Sequence, residues 1–454
     1  MGPYELRLLN DEDSRDLLIK KAFPYKKYGD KFPDDLHELV DALSKKCKGL
    51  PLALIVLGGI LSTKDHIYSA WEKVLRTMEW HSDGKDCINI LGMSYDDMPC
   101  YLKTCFLYLA LFPEDYEISA RRLIKMWIAE GFMPQQGRKM MEEIAEDYLD
   151  QLFQRSMVQV SKRHVNGSIK YCRVHDLLRD FAMHQAGKEN FITVFTNPQN
   201  NNHCGRATRR ASLQSCGPQF KEYVGLKTRS LFLFGLKHTL PKHSVFRLLR
   251  VLLIEAMRIV DLKGIDRLIH LKYLGVRCCE TLKVSECSLG HLKNLETLHI
   301  RDTFEISILP DLWTINTLRH VLCNVGFLPE VPWTADLPNL QSLDCNWSKS
   351  VTLKASLFPP HLIKLTLMDS KLGQDPMPEL GKLNNLKKLR LLGDLYNEKQ
   401  IICPAGFPVL QSLVLSVKTV EVLTVEKGVM PKLKNLSKSY DIKLEIPPEL
   451  MHLI

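Results

Sequence analysis

The chain has 454 residues, 45% of them apolar and 25% charged, proportions that exclude a disordered or collagen-like protein and predict roughly three domains at about 150 residues each. The net charge of +9 is uneven: Lys/Arg against Asp/Glu count 13 to 13 over residues 1–82, 14 to 16 over 83–200 and 34 to 23 over 201–454. The longest apolar run, Leu50–Leu61, holds a proline and two glycines and falls short of the roughly 20 residues a spanning helix needs. No apolar stretch of a secretory leader opens the chain. Its 13 cysteines are scattered and none stand at Cys-x-x-Cys spacing, which predicts reduced thiols, a cytoplasmic location (membrane-peripheral or nuclear as alternatives) and no metal site.

In chain order, Leu36, Leu39, Val40, Leu43 and Cys47 mark one face of an amphipathic helix. Gly49 is placed to end it and Pro51 to open the next, in which Leu52–Leu61 is buried. A polar break follows at His81–Lys85. Ser119–Glu130 reads as a helix capped by Ser119, with Leu123, Trp127 and Ile128 inward. Met141, Ile144, Ala145, Tyr148, Leu149, Leu152 and Phe153 form a second stripe. Val158 and Val160 then alternate, Asn166-Gly167 supplies a hairpin turn, and Ile169, Tyr171 and Arg173 alternate beyond it. Helices followed by a hairpin predict a winged helix. Leu177, Leu178, Phe181 and Ala182 mark a further helix beginning near Asp176, with Gly187 as its stop. Asn197–Gly205, polar and broken by Pro and Gly, reads as a linker.

Beyond the linker the pattern Leu-x-x-Leu-x-Leu recurs. It begins at Leu249-Leu252-Ile254 and returns at Leu271, Leu295, Leu318, Leu340, Leu362, Leu386 and Leu410, with weaker copies at Leu231-Leu233 and Leu433-Leu436. The spacings of 22, 24, 23, 22, 22, 24, 24 and 23 residues lie within the leucine-rich-repeat period. One unit cannot bury its own leucines; stacked units can, forming a curved solenoid lined by a parallel sheet. A small polar residue three places after the last consensus position satisfies turn backbone groups, and Cys279, Thr303, Ser348, Ser370 and Asp394 fit it. Between the leucines, Tyr273, Arg277, His299, Arg301, His320, Asp344, Asn346, Lys364, Lys388 and Arg390 are expected on the open concave face, as a partner-binding surface.

Several motifs resemble one family. Gly49-Leu-Pro-Leu-Ala53 resembles the GLPLA motif of the NB-ARC domain in plant intracellular immune receptors of the disease resistance type. Cys105–Ile118 resembles that family's winged-helix signature, and Trp127-Ile-Ala-Glu-Gly131 accompanies it in the coiled-coil subclass. Val174-His175-Asp176 stands where the family has Met-His-Asp. Tyr4–Arg7 and Asp11–Phe23 resemble the segment that joins the nucleotide-binding subdomain to its first helical extension.

The resemblance implies a multidomain α plus α/β solenoid. It divides the chain into a helical NB-ARC subdomain over 1–82, a winged helix over 83–196, a linker over 197–210 and a leucine-rich-repeat horseshoe over 211–454. It implies ADP or ATP as cofactor, with Pro51 against the adenine and His175 reaching the β-phosphate, beside Asp176 where a helix N-terminus favours anions. Read without the resemblance, Pro51 is a first-turn proline, His175 a connector and Asp176 a cap. The sequence holds no Gly-x-x-x-x-Gly-Lys-Ser/Thr loop, so nucleotide binding is expected to be weak or absent. The chain is expected to begin after the nucleotide-binding subdomain, leaving apolar surface uncovered at Leu52, Leu54, Ile55, Val56 and Leu57.

The implied function is recognition and autoinhibition in plant defence, with a pathogen effector or guarded host protein as partner. Lacking a Gly-x-Ser-x-Gly elbow, a His-Glu-x-x-His helix and a dinucleotide fingerprint, the chain is read as a non-enzyme. The alternatives are a non-switching repeat scaffold and a winged-helix DNA-binding regulator. The second is opposed by the net −2 of residues 83–200, since a DNA-binding domain needs a basic surface.

Overall fold

The computed structural model describes residues 7–24, 33–79, 86–134, 140–164, 167–196, 209–214, 227–235, 246–283, 289–303, 305–306, 310–323, 337–346, 353–438 and 444–453. It divides into two compact units, Met1–Thr193 and Val194–Ile454. The break at 81–85, the hairpin residue Asn166, Ser348 and residues 197–208 of the linker lie outside the described residues. Arg210, the last residue assigned to that linker, opens a strand instead.

The first unit begins with α1 (Asp11–Ala22), α2 (His37–Lys46), α3 (Pro51–Leu61), α4 (Tyr68–Glu79), α5 (Asp86–Asp96) and α6 (Cys100–Leu109). It continues with β1 (Ile118–Ser119), α7 (Ala120–Glu130), α8 (Met141–Gln154), β2 (Gln159–Arg163), β3 (Ile169–Arg173) and α9 (Asp176–Lys188). Leu36, Leu39, Val40, Leu43 and Cys47 are buried, as their spacing predicts. Pro51 is the first residue of α3, where a missing N–H costs no helical bond.

The uncovered apolar face expected on α3 is not there. Leu52, Leu54, Val56 and Leu57 are buried and Ile55 is half-buried, because α1 and the turn after α8 close over the helix. Two glycines permit that approach. A Cβ on Gly58 would stand 2.5 Å from the Lys21 Cβ, and one on Gly59 would stand 2.5 Å from the Arg155 carbonyl oxygen. Asp97 ties the same seam, accepting hydrogen bonds from Lys64 and, at 2.8 Å, from Arg155. Burial alone would raise the Asp97 pKa, but Arg155 and Lys64 outweigh it and hold the carboxyl below its usual range. The helical layer and the winged helix thus share one core.

The winged helix carries an antiparallel sheet of order β1-β3-β2. Strand β1, two residues long, was not foreseen from the sequence. Leu123, Trp127 and Ile128 of α7 are buried, and Gly131 ends that helix at φ +87°, a conformation glycine takes without strain. Ser119 occupies the N-cap but makes no side-chain capping bond; it is paired in β1. Gly187 does not stop α9, since an internal glycine costs a helix only about 1 kcal/mol. The chain turns instead at Asn190, with φ +50°.

In the second unit, β4 (Thr193–Phe195), β5 (Arg210–Gln214), β6 (Ser230–Phe234), β7 (Val251–Glu255), β8 (Ile259–Asp261), β9 (Tyr273–Arg277) and β10 (Thr281–Lys283) come first. Then follow β11 (Thr297–Arg301), β12 (Glu305–Ile306), β13 (His320–Cys323), β14 (Ser342–Asn346), β15 (Lys364–Met368) and a short α10 (Met377–Leu380). The last strands are β16 (Lys388–Gly393), β17 (Gln400–Cys403), β18 (Ser412–Val417), β19 (Val422–Val425) and β20 (Asn435–Lys438). Twelve of them form one sheet in the order β20-β18-β16-β15-β14-β13-β11-β9-β7-β6-β5-β4. Residues 193–195 therefore belong to this sheet and not to the winged helix, where the sequence reading ended that domain at 196. The return segments pair separately, as β12-β10-β8 and β17-β19.

The consensus leucines fill one continuous core: Leu271, Leu274, Leu295, Leu298, Leu340, Leu343, Leu365, Leu389 and Leu413 are each fully buried. After the strands the chain turns left-handed at Ala256, Cys278, Asp302 and Asp369 (φ +57°, +51°, +55° and +46°) and at Gly393. After Cys278, Asp302, Asp369 and Gly393 the next residue is the expected small polar one, whereas Ala256 is followed by the buried Met257. Cys279 Sγ, Thr303 Oγ1 and Ser370 Oγ donate to the carbonyls of Arg277, Arg301 and Met368 at 3.1, 3.2 and 2.8 Å. Asp394 departs from this, its backbone N–H donating to Asp369 Oδ1 at 2.8 Å.

Candidate functional site

In parallel register, alternate residues of the long sheet line up in rows on the face away from the leucines. The first row runs Ser230, Val251, Tyr273, Thr297, His320, Ser342, Lys364, Lys388, Ser412 and Asn435. The second runs Phe232, Leu253, Gly275, His299, Leu322, Asp344, Thr366, Arg390, Val414 and Ser437. Glu255, Arg277 and Arg301 share the third. The ten residues expected on this face do lie on these strands, but they are not equally available.

Tyr273 and Asp344 are 0% and 1% exposed, and His299 and His320 are 8% exposed. Strands about 4.8 Å apart let long polar side chains lie sideways over their neighbours. The Tyr273 ring covers Gly275, where a Cβ would stand 2.9 Å from it, and its hydroxyl is 3.3 Å from His299 Nδ1. His320 Nδ1 is 2.8 Å from Ser342 Oγ. Asp344 accepts from Lys364 at 2.9 Å and from Arg301, which reaches across β13 to meet it. Burial alone would raise the Asp344 pKa, yet Lys364 and Arg301 overcome it and keep the carboxylate ionised below its ordinary range.

Arg277 lies 3.4 Å from Glu255 and 3.2 Å from Asp302. Lys364, Lys388 and Arg390 are half-buried, and the side chain of Asn346 lies outside the described residues. Glu255 and Asp302 were missed from the sequence. The signal was there, since residue 255 precedes Arg277 by one repeat length, as the in-register pairing requires.

The expected nucleotide contacts sit in the first unit. Pro51 is exposed at the start of α3. His175, not Asp176, is the N-cap of α9, and its Nδ1 accepts the Leu177 N–H at 3.3 Å. With Nδ1 accepting, the ring proton of the neutral imidazole belongs on Nε2. Asp176 is the first residue of α9, and an acidic residue in a helix's first turn competes with any anion for that end. One ring N–H, one proline and a competing carboxylate do not by themselves fit a nucleotide. A cleft of about 230 Å³ between α5 and α9 is lined by Ile88, Gly92, Tyr95, Phe181, His184 and Lys188 among others, and by none of these three.

The winged helix is held by buried polar contacts. Arg179 of α9 donates to the Phe112 carbonyl at 2.9 Å, so the loop carrying the Leu-Phe-Pro-Glu-Asp signature is fastened to the helix after Val-His-Asp. Burial lowers the Arg179 pKa, opposed by Asp180, Glu114 and Asp176. In α7 only Arg121 and Lys125 escape full burial, so this helix has little basic surface to place against DNA. No helix among the described residues is long and apolar enough to cross a membrane.

Comparison with known proteins agrees with these elements. The family described as Disease resistance protein Winged helix domain matches residues 111–182, and that described as Leucine-rich repeat region matches 227–355. The chain is 30% identical over 96% of its length to a putative disease resistance RPP13-like protein 3 of Arabidopsis thaliana, spanning 57% of that protein. It is also 30% identical over 98% of its length to disease resistance protein RPP13 of the same plant, spanning 61% of it. The chain thus spans under two thirds of the length of the curated relatives it matches. A leucine-rich-repeat protein of Leptospira interrogans aligns with 52% of this chain and 66% of its own at 18% identity and a TM-score of 0.35, a likeness that carries no argument. In its winged helix, in its repeats and over nearly all of its own length, the chain is similar to plant disease resistance proteins.

Proposed function

We propose that the chain acts in plant defence as the recognition and restraint part of a disease-resistance receptor. In this reading residues 1–82 serve as the helical NB-ARC layer and the next domain as its winged helix. The repeats meet a pathogen effector or a guarded host protein on the outward rows of the sheet. The observation that carries the reading is the disease-resistance winged helix at 111–182 followed in the same chain by an unbroken ladder of parallel repeat strands. Half-buried cations at Lys364, Lys388 and Arg390 beside buried polar neighbours suit a protein surface, with the partner reading charge and shape together. We place the chain in the cytoplasm and expect no nucleic-acid partner.

The chain is no enzyme in this reading, and Pro51, His175 and Asp176 are the remnants of a nucleotide contact. Titration of the purified chain with a fluorescent ADP analogue should give no saturation at micromolar concentrations and no phosphate release from ATP; micromolar affinity defeats this part. For the receptor role, the host is challenged with pathogens while carrying either the unaltered chain or its Lys388→Ala/Arg390→Ala variant. Loss of a defence response in the variant supports recognition by the rows. An unchanged response, with the variant present at equal level, overturns it.

A further inference from the structure

Late in the solenoid the charges separate by position. Of the 13 bases and seven acids in residues 353–438, seven bases and no acid fall in the strand starts and strands, 359–368, 383–393, 407–417 and 431–438. Asp369 and Asp394 lie in the turns after β15 and β16, and the other five acids lie in the return segments. Glu379 and Glu421 pair there with Lys382 and Lys399. Of the seven bases, Lys364 is engaged by Asp344, Lys438 donates to the Leu444 carbonyl at 3.1 Å and Lys388 has contacts of its own. The other four are Lys387, Arg390, Lys432 and Lys434. Their side chains make no hydrogen bond or ion pair among the described residues. Lys387, Lys432 and Lys434 are exposed and Arg390 is half-buried.

The strand starts hold these four near one another. The Lys387, Gln411 and Lys434 N–H groups donate to the carbonyls of Ile363, Lys387 and Gln411 at 2.8, 2.8 and 2.9 Å. Lys387 and Lys434 are thus two strand spacings apart, roughly 10 Å. Arg390 stands three residues along from Lys387, and Lys432 two residues before Lys434.

We infer that Lys387, Arg390, Lys432 and Lys434 form a docking patch for an extended acidic segment of a partner protein. The inference rests on reading the repeats as a recognition surface and names the chemistry of the partner. The warrant is charge complementarity. Four cations with no carboxylate of their own set a field that favours an anionic chain. Each can take a partner's carboxylate in a charge-assisted hydrogen bond without giving up a contact among the described residues. Three residues of extended chain, at about 3.3 Å each, span the gap from Lys387 to Lys434.

Two other anionic partners fit less well. Single-stranded nucleic acid is held by basic grooves with rings on which bases stack, but Phe358, Tyr396 and Phe407, the aromatic residues of 353–438, are all buried. A bilayer needs apolar insertion beside the charge. The one large apolar side chain exposed in 353–438 is Ile402, and it stands on β17 in a return segment.

The test measures binding of the full chain to three probes. A labelled peptide containing six consecutive glutamates and a labelled twelve-residue oligothymidylate are followed by fluorescence anisotropy, and phosphatidylserine vesicles by co-sedimentation. The peptide should bind, and its affinity should fall at least fivefold between 50 and 200 mM salt. Lys387→Glu/Lys434→Glu should weaken it at least tenfold. Lys418→Glu/Lys427→Glu, the same charge change in the turn after β18 and in the segment after β19, should weaken it less than threefold. If the first double variant loses its native circular dichroism, Lys387→Gln/Lys434→Gln replaces it and should weaken binding at least threefold. No peptide binding at 50 mM salt, equal losses in the patch and control variants, or tighter binding to the oligonucleotide or vesicles overturns the inference. A defence response lost in the Lys388→Ala/Arg390→Ala chain, with no peptide binding, keeps the recognition surface and rejects its acidic partner. Peptide binding with an unchanged response keeps the patch and rejects its part in defence.

Discussion

The two units bury their apolar residues by different rules. In Met1–Thr193 the core comes from unique long-range meetings: Gly59 against Arg155, Asp97 between Lys64 and Arg155, Arg179 on the Phe112 carbonyl. In Val194–Ile454 one meeting is repeated, each strand on the next in register, with its leucines stacked on those of the neighbours. A lost contact in the first unit has no substitute, whereas one in the solenoid is felt mainly by the adjoining repeats. The first unit should therefore fail as a whole and the second in parts.

The strongest way to break this contrast is a matched pair of core truncations. Trp127→Ala should cost about 3–5 kcal/mol and Leu343→Ala about 2–5 kcal/mol. Hydrogen exchange should then show opening throughout residues 7–192 in the first and confined to a few strands around β14 in the second. Protection lost evenly over the whole solenoid would contradict the nearest-neighbour picture.

Asp344 sharpens it next, being a unique contact inside the repeats. Asp344→Ala leaves Arg301 and Lys364 without their shared carboxylate and should cost about 3–5 kcal/mol by chemical denaturation. Its depressed pKa also fixes a sign. The folded carboxyl titrates below the unfolded value of about 3.9, so its contribution is complete above that pH and is lost as pH falls through the folded pKa. Stability followed from pH 6 to pH 2 should drop below about pH 4, and the Asp344→Asn chain should lose less over that range than the unaltered one.

A smaller effect is expected at the seam of the first unit. Gly59→Ala drives a methyl group into the Arg155 backbone and should lower stability by about 1–3 kcal/mol, measured as an earlier urea midpoint for signals from residues 7–192. The smallest runs the other way. Ala256 holds φ +57°, which costs a residue with a Cβ about 1 kcal/mol relative to glycine, so Ala256→Gly should stabilise the solenoid by about that much. A loss of stability there would show that the turn is held by the Ala256 methyl group.

Much of the repeat architecture was legible because its signal is periodic. Leucines 22 to 24 residues apart announce both the strands and their register, and the Cys279, Thr303 and Ser370 bonds could be placed from spacing alone. β4 and β5 were harder to see, since short strands next to a linker lack the full pattern. For the candidate surface, residue identities were legible and their availability was not. Tyr273 and His299 look like a free aromatic and a free imidazole in the row of residues between leucines; only their neighbours across the sheet show that they cover one another. His175 likewise read as a connector or phosphate contact until its Nδ1 was seen to cap α9.

By itself the amino-acid order determined the helical and repeating halves, the leucine core and the basic excess of residues 201–454, because periodicity and charge are properties of nearby residues and add along the chain. Only the tertiary structure decided that α3 is covered and not orphaned, and that Asp344 is the buried hub of three strands. Those outcomes depend on which distant segments meet at distances of a few ångströms, where a glycine, a carboxylate or a register shift of one residue changes what is buried.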